Sequence, residues 1–205
     1  MGLLFAPSIA LLLSMATSIW ITGAFHEDGL ADVCDGFGGG WTKEQTLIIM
    51  KDSRLGTYGV IGIGLLLALK FAALLQINNR ADAIVWIAMA LITGHTISRS
   101  ATVWLISVHT YIRDEESGKI QSLAGSITRP DLLIATLFGL FSIFLAFLLT
   151  MHMGFLLSIV PVVMTTWLLG RYFKHRLGGY TGDCLGATQQ ITEVVLYLSL
   201  SSIQP

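Results

Sequence analysis

Six long apolar runs, roughly Leu3–Ile21, Leu55–Ile77, Ala83–Val108, Leu132–Thr150, Met153–Gly170 and Gly186–Ile203, decide what this chain can fold into. A hydrocarbon core of about 30 Å takes about 20 mostly apolar helical residues to cross, and only helices or closed barrels satisfy their backbone there. The runs therefore predict an all-α integral membrane protein of about six transmembrane helices, folded as a single polytopic domain over 1–205. Composition agrees: 12% of residues are charged and the mean hydropathy is +0.72, against roughly 25% charged in soluble domains. The fourth run carries no charge from Leu132 to Thr150. The sixth is weakest, because Gln189, Gln190 and Glu193 interrupt it, and an interfacial position for part of it stays open. Pro161 should kink the fifth helix. The first run lacks a basic n-region and an A-x-A site, so it reads as a retained span and not a cleaved signal.

Positive charge sets the expected orientation. The loops at about 22–54, 109–131 and 171–186 hold Lys43, Lys51, Arg54, Arg113, Lys119, Arg129, Arg171, Lys174 and Arg176, while the opposite side has only Arg80. Short cytoplasmic loops are enriched in Lys and Arg, so these three loops, with every clustered carboxylate, are expected on the cytoplasmic side. Lys70 is expected to snorkel outward from its helix end, and Arg99 to stand near the cytoplasmic surface. A net charge of -1 and scattered basic residues give no footprint for nucleic acid. Cys34 and Cys184 show neither CxxC nor zinc spacing and read as packing residues.

The chemistry concentrates in the first loop. Asp28, Asp32 and Asp35 are spaced i, i+4 and i+7, which on a helix places them at about 0°, 40° and -20°, with Glu27 on the flank. Such crowding is repulsive without a cation, and Mg²⁺ takes carboxylate oxygens while sharing its coordination with substrate phosphates. Glu27, Asp28, Asp32 and Asp35 are the candidate metal ligands. The glycines at 36 and 38–40 read either as a close-approach segment or as a flexible connector; they match neither a dinucleotide nor a Walker fingerprint. Lys51, Asp52 and Arg54 follow, two cations that can clamp phosphate or simply anchor the membrane boundary. Later, Asp183 and Gln190 share a helix face directed back toward the site, with Glu193 deeper and Arg99 its expected counter-charge. His26 is the one histidine inside a dense polar motif, where it can bind phosphate or move a proton.

Taken in order, HEDGLADVCDG, IMKDSRLGTYG and GGYTGDCLGA resemble the cobalamin synthase family, the adenosylcobinamide-GDP ribazoletransferases, from about Phe5 to the sixth helix. The resemblance implies a polytopic enzyme of the cell inner membrane. It joins adenosylcobinamide-GDP to alpha-ribazole or its 5'-phosphate with Mg²⁺, releases GMP and completes the cobalamin nucleotide loop. Carried onto this chain, Glu27, Asp28, Asp32 and Asp35 hold Mg²⁺ against the diphosphate. Lys51, Asp52, Arg54, Arg99, Asp183 and Gln190 contact substrate, while Asp35, with Asp32 and His26, is the candidate for proton transfer. The lipid bilayer is the expected surrounding partner, and a homo-oligomer or an association with other corrinoid-pathway proteins is compatible with the resemblance. Family members carry a further N-terminal hydrophobic segment, whereas Met1 here falls just before the first run.

Two other functions bracket this one. A CDP-alcohol phosphotransferase also has an aspartate-rich Mg²⁺ motif, but follows its Asp-Gly with an Ala-Arg step where this chain has Ala31 and Asp32. An ion transporter would use Glu193 and Arg99, yet would gather its acids at the midplane.

Overall fold

A computed structural model of the chain describes residues 5–80, 82–112 and 127–202, and what it describes is helical. The described helices are α1 (Pro7–Thr22), α2 (Phe25–Gly39), α3 (Lys43–Lys51), α4 (Thr57–Asn78), α5 (Ala83–Val108), α6 (Arg129–Thr150), α7 (Gly154–Leu157), α8 (Ile159–Leu177) and α9 (Gly182–Ser202). Arg113 and Lys119, counted above in a loop, lie outside the described residues. Among the described residues, three segments are long and apolar enough to cross a membrane: Thr57–Asn78, Arg129–Thr150 and Gly154–Leu177. The bent pair α1 and α2, which meet at 87°, makes a fourth if it is taken as one span. The four carboxylates of α2 would be costly in hydrocarbon.

Local chemistry explains where the helices break. Gly23 (φ 64) and Ala24 (φ 58) both take the left-handed conformation, and these two residues turn α1 into α2. Thr42 with Gln45 and Thr128 with Asp131 form reciprocal capping boxes that start α3 and α6. Pro161 lies in the first turn of α8, and its missing N–H leaves the carbonyl of Leu157 without a helical donor. The break therefore falls at Ser158, between α7 and α8, and not in mid-helix.

The expected weak sixth helix is the centre of the molecule. α9 packs against α2, α4, α5 and α8, and Tyr197, Leu196, Leu200 and Gln190 along it are buried. The residues that interrupt its apolar run meet partners on those helices: Gln189 reaches Ser98 of α5, Gln190 reaches Glu27 of α2 and Glu193 reaches Lys70 of α4. One apolar cluster joins Leu74, Ile77, Trp86, Ile143, Phe155 and Leu196; a second joins Leu30, Val33, Met50, Leu105, Phe173 and Tyr180. Among lipid chains as apolar as leucine, such packing stabilises through close contact and interhelical hydrogen bonds more than through exclusion of water.

Two expectations about charge are corrected by this packing. Lys70 does not snorkel: it is 5% exposed, and its Nζ lies 2.7 Å from Glu193 Oε1. Glu193 therefore pairs with Lys70, and Arg99 turns to its own helix, donating to the carbonyl of His95 at 2.9 Å. A buried carboxylate and a buried ammonium on adjacent helices neutralise each other, which removes the need for either to reach water.

Candidate active site

Most of the stretch expected as an acidic loop is helix α2, followed by the short helix α3. Even the glycines are structured: Gly36, Gly38 and Gly39 complete α2, and a Cβ on Gly36 would strike Met50 of α3. They act in helix packing and not as a flexible connector. Asp28, Asp32 and Asp35 do lie on one helix, as their spacing requires.

Two glycines bring that helix to α9. A Cβ on Gly29 would stand 3.0 Å from the Cα and carbonyl oxygen of Asp183, and one on Gly186 would stand 3.0 Å from the carbonyl oxygen of His26. Backbone thus meets backbone at the crossing, which only residues without a side chain allow. Asp183, in the first turn of α9 where the helix dipole favours an anion, is set against the acidic face of α2. The approach to α9 is fixed by a short parallel pairing: Ile112 donates its N–H to the carbonyl of Tyr180 at 2.9 Å, and Tyr180 donates to that of Thr110 at 3.0 Å.

The consequence is electrostatic. Burial, followed by the nearby charges of Asp183, Asp28 and Asp35, pushes the Asp32 carboxyl up to about 7. Asp32 and Asp183 are half-buried and Asp28 is exposed, so the group borders solvent. Among the described residues, no three His, Cys, Asp or Glu side chains are gathered closely enough to hold a metal ion by themselves. The expected set of Glu27, Asp28, Asp32 and Asp35 is therefore not gathered as a metal cage; Mg²⁺ keeps several waters and is commonly bound by one or two carboxylates together with substrate phosphates. The crowded carboxylates fit such a cation, because it would relieve their mutual repulsion.

The other candidates separate from this face. Asp35 is 8% exposed and accepts from the N–H groups of Gly56 at 2.7 Å and Gly59 at 2.9 Å. Its two oxygens thus serve the N-terminus of α4. Glu27 turns inward, where its Oε1 accepts from Gln190 Nε2 at 2.8 Å, and its Oε2 is buried without a hydrogen-bond partner. Gln190 does face α2, as its seven-residue spacing from Asp183 requires. His26 is half-buried at the start of α2; burial first, then Arg99, lowers its proton affinity. Arg99 and His95 line a groove of about 530 Å³ beside Ser14, Thr17, Ser18 and Thr22 of α1. Asp52 and Arg54 pair with each other at the connection from α3 to α4, where the guanidinium holds the Asp52 carboxyl down at about 2. Lys51, at the end of α3, is exposed on the same connection.

Two features escaped the sequence. Arg176 donates from Nη2 to the carbonyl oxygens of Gly40 at 2.7 Å and Phe37 at 3.4 Å, closing the C-terminal end of α2. In the sequence it counted only toward the orientation of its loop. Around Glu193, Tyr197 donates to Oε1 at 2.8 Å and Gln189 to Oε2 at 2.7 Å. The i, i+4 spacing of 189, 193 and 197 was the available signal.

Comparison with known proteins identifies the family. The cobalamin-5-phosphate synthase family matches residues 1–201. The adenosylcobinamide-GDP ribazoletransferase of Shewanella frigidimarina is 44% identical over 205 residues, covering 98% of this chain and 75% of that protein. The protein of the same name from Ralstonia pickettii is 42% identical over 195 residues, with 95% and 73% covered. No solved structure shows a significant match. With a family match over nearly its whole length and relatives this similar, the chain belongs to the cobalamin-5-phosphate synthase family.

Proposed function

We propose that the chain is a membrane transferase that joins adenosylcobinamide-GDP to alpha-ribazole or alpha-ribazole 5'-phosphate, releasing GMP and completing the nucleotide loop of cobalamin. The observation that supports it best is the meeting of α2 and α9 at Gly29 and Gly186. It sets Asp183 against Asp28 and Asp32 at a solvent-bordering face. The two relatives named for this reaction match 98% and 95% of the chain.

In this reaction a ribazole hydroxyl forms a P–O bond to the phosphorus that stays with the corrinoid, and the bridging P–O bond to GMP breaks. The hydroxyl proton passes to a base, and GMP leaves with the bond's electron pair. One or two of the carboxylates of Asp28, Asp32 and Asp183, together with substrate phosphate oxygens, would hold Mg²⁺. When bound, it supplies neutralisation of the diphosphate and of the charge developing on the leaving phosphate. The residues themselves act by position. Gly29 and Gly186 keep the two carboxylate-bearing helices in register, and Asp35 fixes α4 to α2, so Lys51 and Arg54 stand on the connection entering α4 to contact outer phosphate oxygens. Arg99, on the neighbouring groove, is a further phosphate contact. His26, at the start of α2, is the group we assign to take the proton, because Asp35 is committed to backbone N–H groups. Six spans, with α2, α3 and the turn into α9 on the cytoplasmic side of the inner membrane, are supported by the nine basic residues on alternate loops.

The test is direct. Purified protein in lipid vesicles is incubated with Mg²⁺, adenosylcobinamide-GDP and alpha-ribazole phosphate, and the mixture is chromatographed. Adenosylcobalamin 5'-phosphate and GMP in equal amounts are expected; folded protein that makes neither overturns the proposal.

A further inference from the structure

Helices α5, α6 and α8 enclose a groove of about 420 Å³, within the roughly 300–1,000 Å³ of small-molecule sites. Its walls are apolar: Trp104 and Leu105 of α5, Leu140 of α6, and Val163 and Trp167 of α8 line it. The hydroxyls within it are already engaged. Thr136 donates to the carbonyl of Leu132 at 2.7 Å and accepts from Trp104 Nε1 at 3.0 Å, Thr166 donates to that of Val162 at 2.8 Å, and Ser100 to that of Ala135 at 2.6 Å. An occupant would therefore meet almost no polar demand along its length.

One end differs. The guanidinium of Arg171 lies 4.9 Å over the Trp167 ring that forms part of the wall. Lys174 follows one turn later on α8 and acts electrostatically on His109, which also lines the groove. Arg171 and Lys174 are both exposed. Asp131, at the start of α6, is spent on its own cap at Thr128, where the backbone N–H and hydroxyl donate to it at 2.8 and 2.6 Å. Cations stand over the mouth of an apolar slot between two of the spanning segments, and that combination matches an amphiphile with an anionic head.

We propose that this groove binds one anionic phospholipid, with an acyl chain between α5, α6 and α8 and its phosphate against Arg171 and Lys174. Arg171 supplies a planar fork for the phosphate oxygens, and Lys174 a second point charge. A neutral lipid would fill the slot but leave both cations to water, so the rim selects the headgroup while the slot supplies retention. None of these residues belongs to the carboxylate face, and the proposal stands whether or not the transferase assignment does.

The experiment is native mass spectrometry of the full chain. The protein is stripped of lipid by prolonged detergent washing, then offered phosphatidylglycerol and phosphatidylcholine of identical chains. Wild type should retain one phosphatidylglycerol per chain with a preference of roughly 30-fold, the value expected for two cations at an anionic headgroup. In the exposed double variant R171Q/K174Q the preference should vanish while residual binding of both lipids persists. V163W, which fills the slot, should lose both lipids. Equal retention of the two lipids by wild type, retention of neither, a second copy bound in their place, or a preference unchanged in R171Q/K174Q would each overturn the proposal. The wild-type competition decides it even if V163W fails to fold.

Discussion

Replacing Lys70 by methionine removes one member of a buried ion pair while nearly preserving side-chain length. Glu193 is 1% exposed and accepts from Lys70 at 2.7 Å, Tyr197 at 2.8 Å and Gln189 at 2.7 Å. Removing one partner of a buried pair costs about 3–5 kcal/mol, because the remaining charge stays buried. The two surviving donors continue to solvate the carboxylate, so we place K70M near the lower end, at about 3 kcal/mol. E193Q strands the ammonium and should cost about as much. K70M/E193Q removes both charges and keeps an acceptor for Tyr197, so it should fall within about 1 kcal/mol of wild type, a coupling of about 5 kcal/mol. Equilibrium unfolding in mixed micelles, followed by far-ultraviolet circular dichroism, measures all four proteins. A cost below about 1 kcal/mol for K70M is what an outward-reaching lysine would give, and it would refute the pairing. A double variant as unstable as the two singles combined would refute it equally.

Other substitutions probe the frame of the site. Gly29→Ala forces α2 from the Asp183 backbone and should cost about 1–3 kcal/mol with a large loss of turnover. Gly64→Ala, where a Cβ meets nothing within 4 Å, should be neutral or stabilise by up to about 1 kcal/mol in the same unfolding assay. Asp35→Ala leaves the N–H groups of Gly56 and Gly59 without their acceptor and should lower stability by about 2–4 kcal/mol; an unchanged unfolding midpoint would argue that Asp35 serves substrate and not α4. Arg176→Ala should cost about 1–3 kcal/mol by uncapping α2. Arg176→Lys should recover only part of that, because a point charge cannot bridge the carbonyls of Phe37 and Gly40 as a guanidinium does; full recovery in thermal melts would count against the cap.

How much could be read beforehand depended on range. The helices were legible because hydropathy is local: α5 falls over the expected residues, and α6 begins three residues early only because its capping box lies upstream of the apolar run. That Asp28, Asp32 and Asp35 come from one helix followed from their spacing alone. The burial of α9 did not, because Gln189, Gln190 and Glu193 look costly until their partners on other helices are known. Lys70 and Glu193 are far apart in sequence, and no spacing rule connects them. Asp35 was legible as an acid but not as the cap of α4, since Gly56 and Gly59 reach it only through the fold. The glycines at 36, 38 and 39 illustrate the same limit. Their composition suggests a loop, and the tight packing of α3 and α4 against α2 makes them a helix.

The central claim is that the face made by α2 and α9 performs the transfer, and Asp32→Asn tests it most directly. The substitution keeps the shape of the residue and removes the charge that Asp28, Asp35 and Asp183 crowd. Product formation is measured in vesicles at a series of Mg²⁺ concentrations, with membrane insertion and unfolding midpoint followed in parallel. The account predicts that D32N folds like wild type, turns over about 10²–10³-fold more slowly, and needs more Mg²⁺ for what activity remains. Turnover and Mg²⁺ dependence equal to wild type in folded D32N would contradict it.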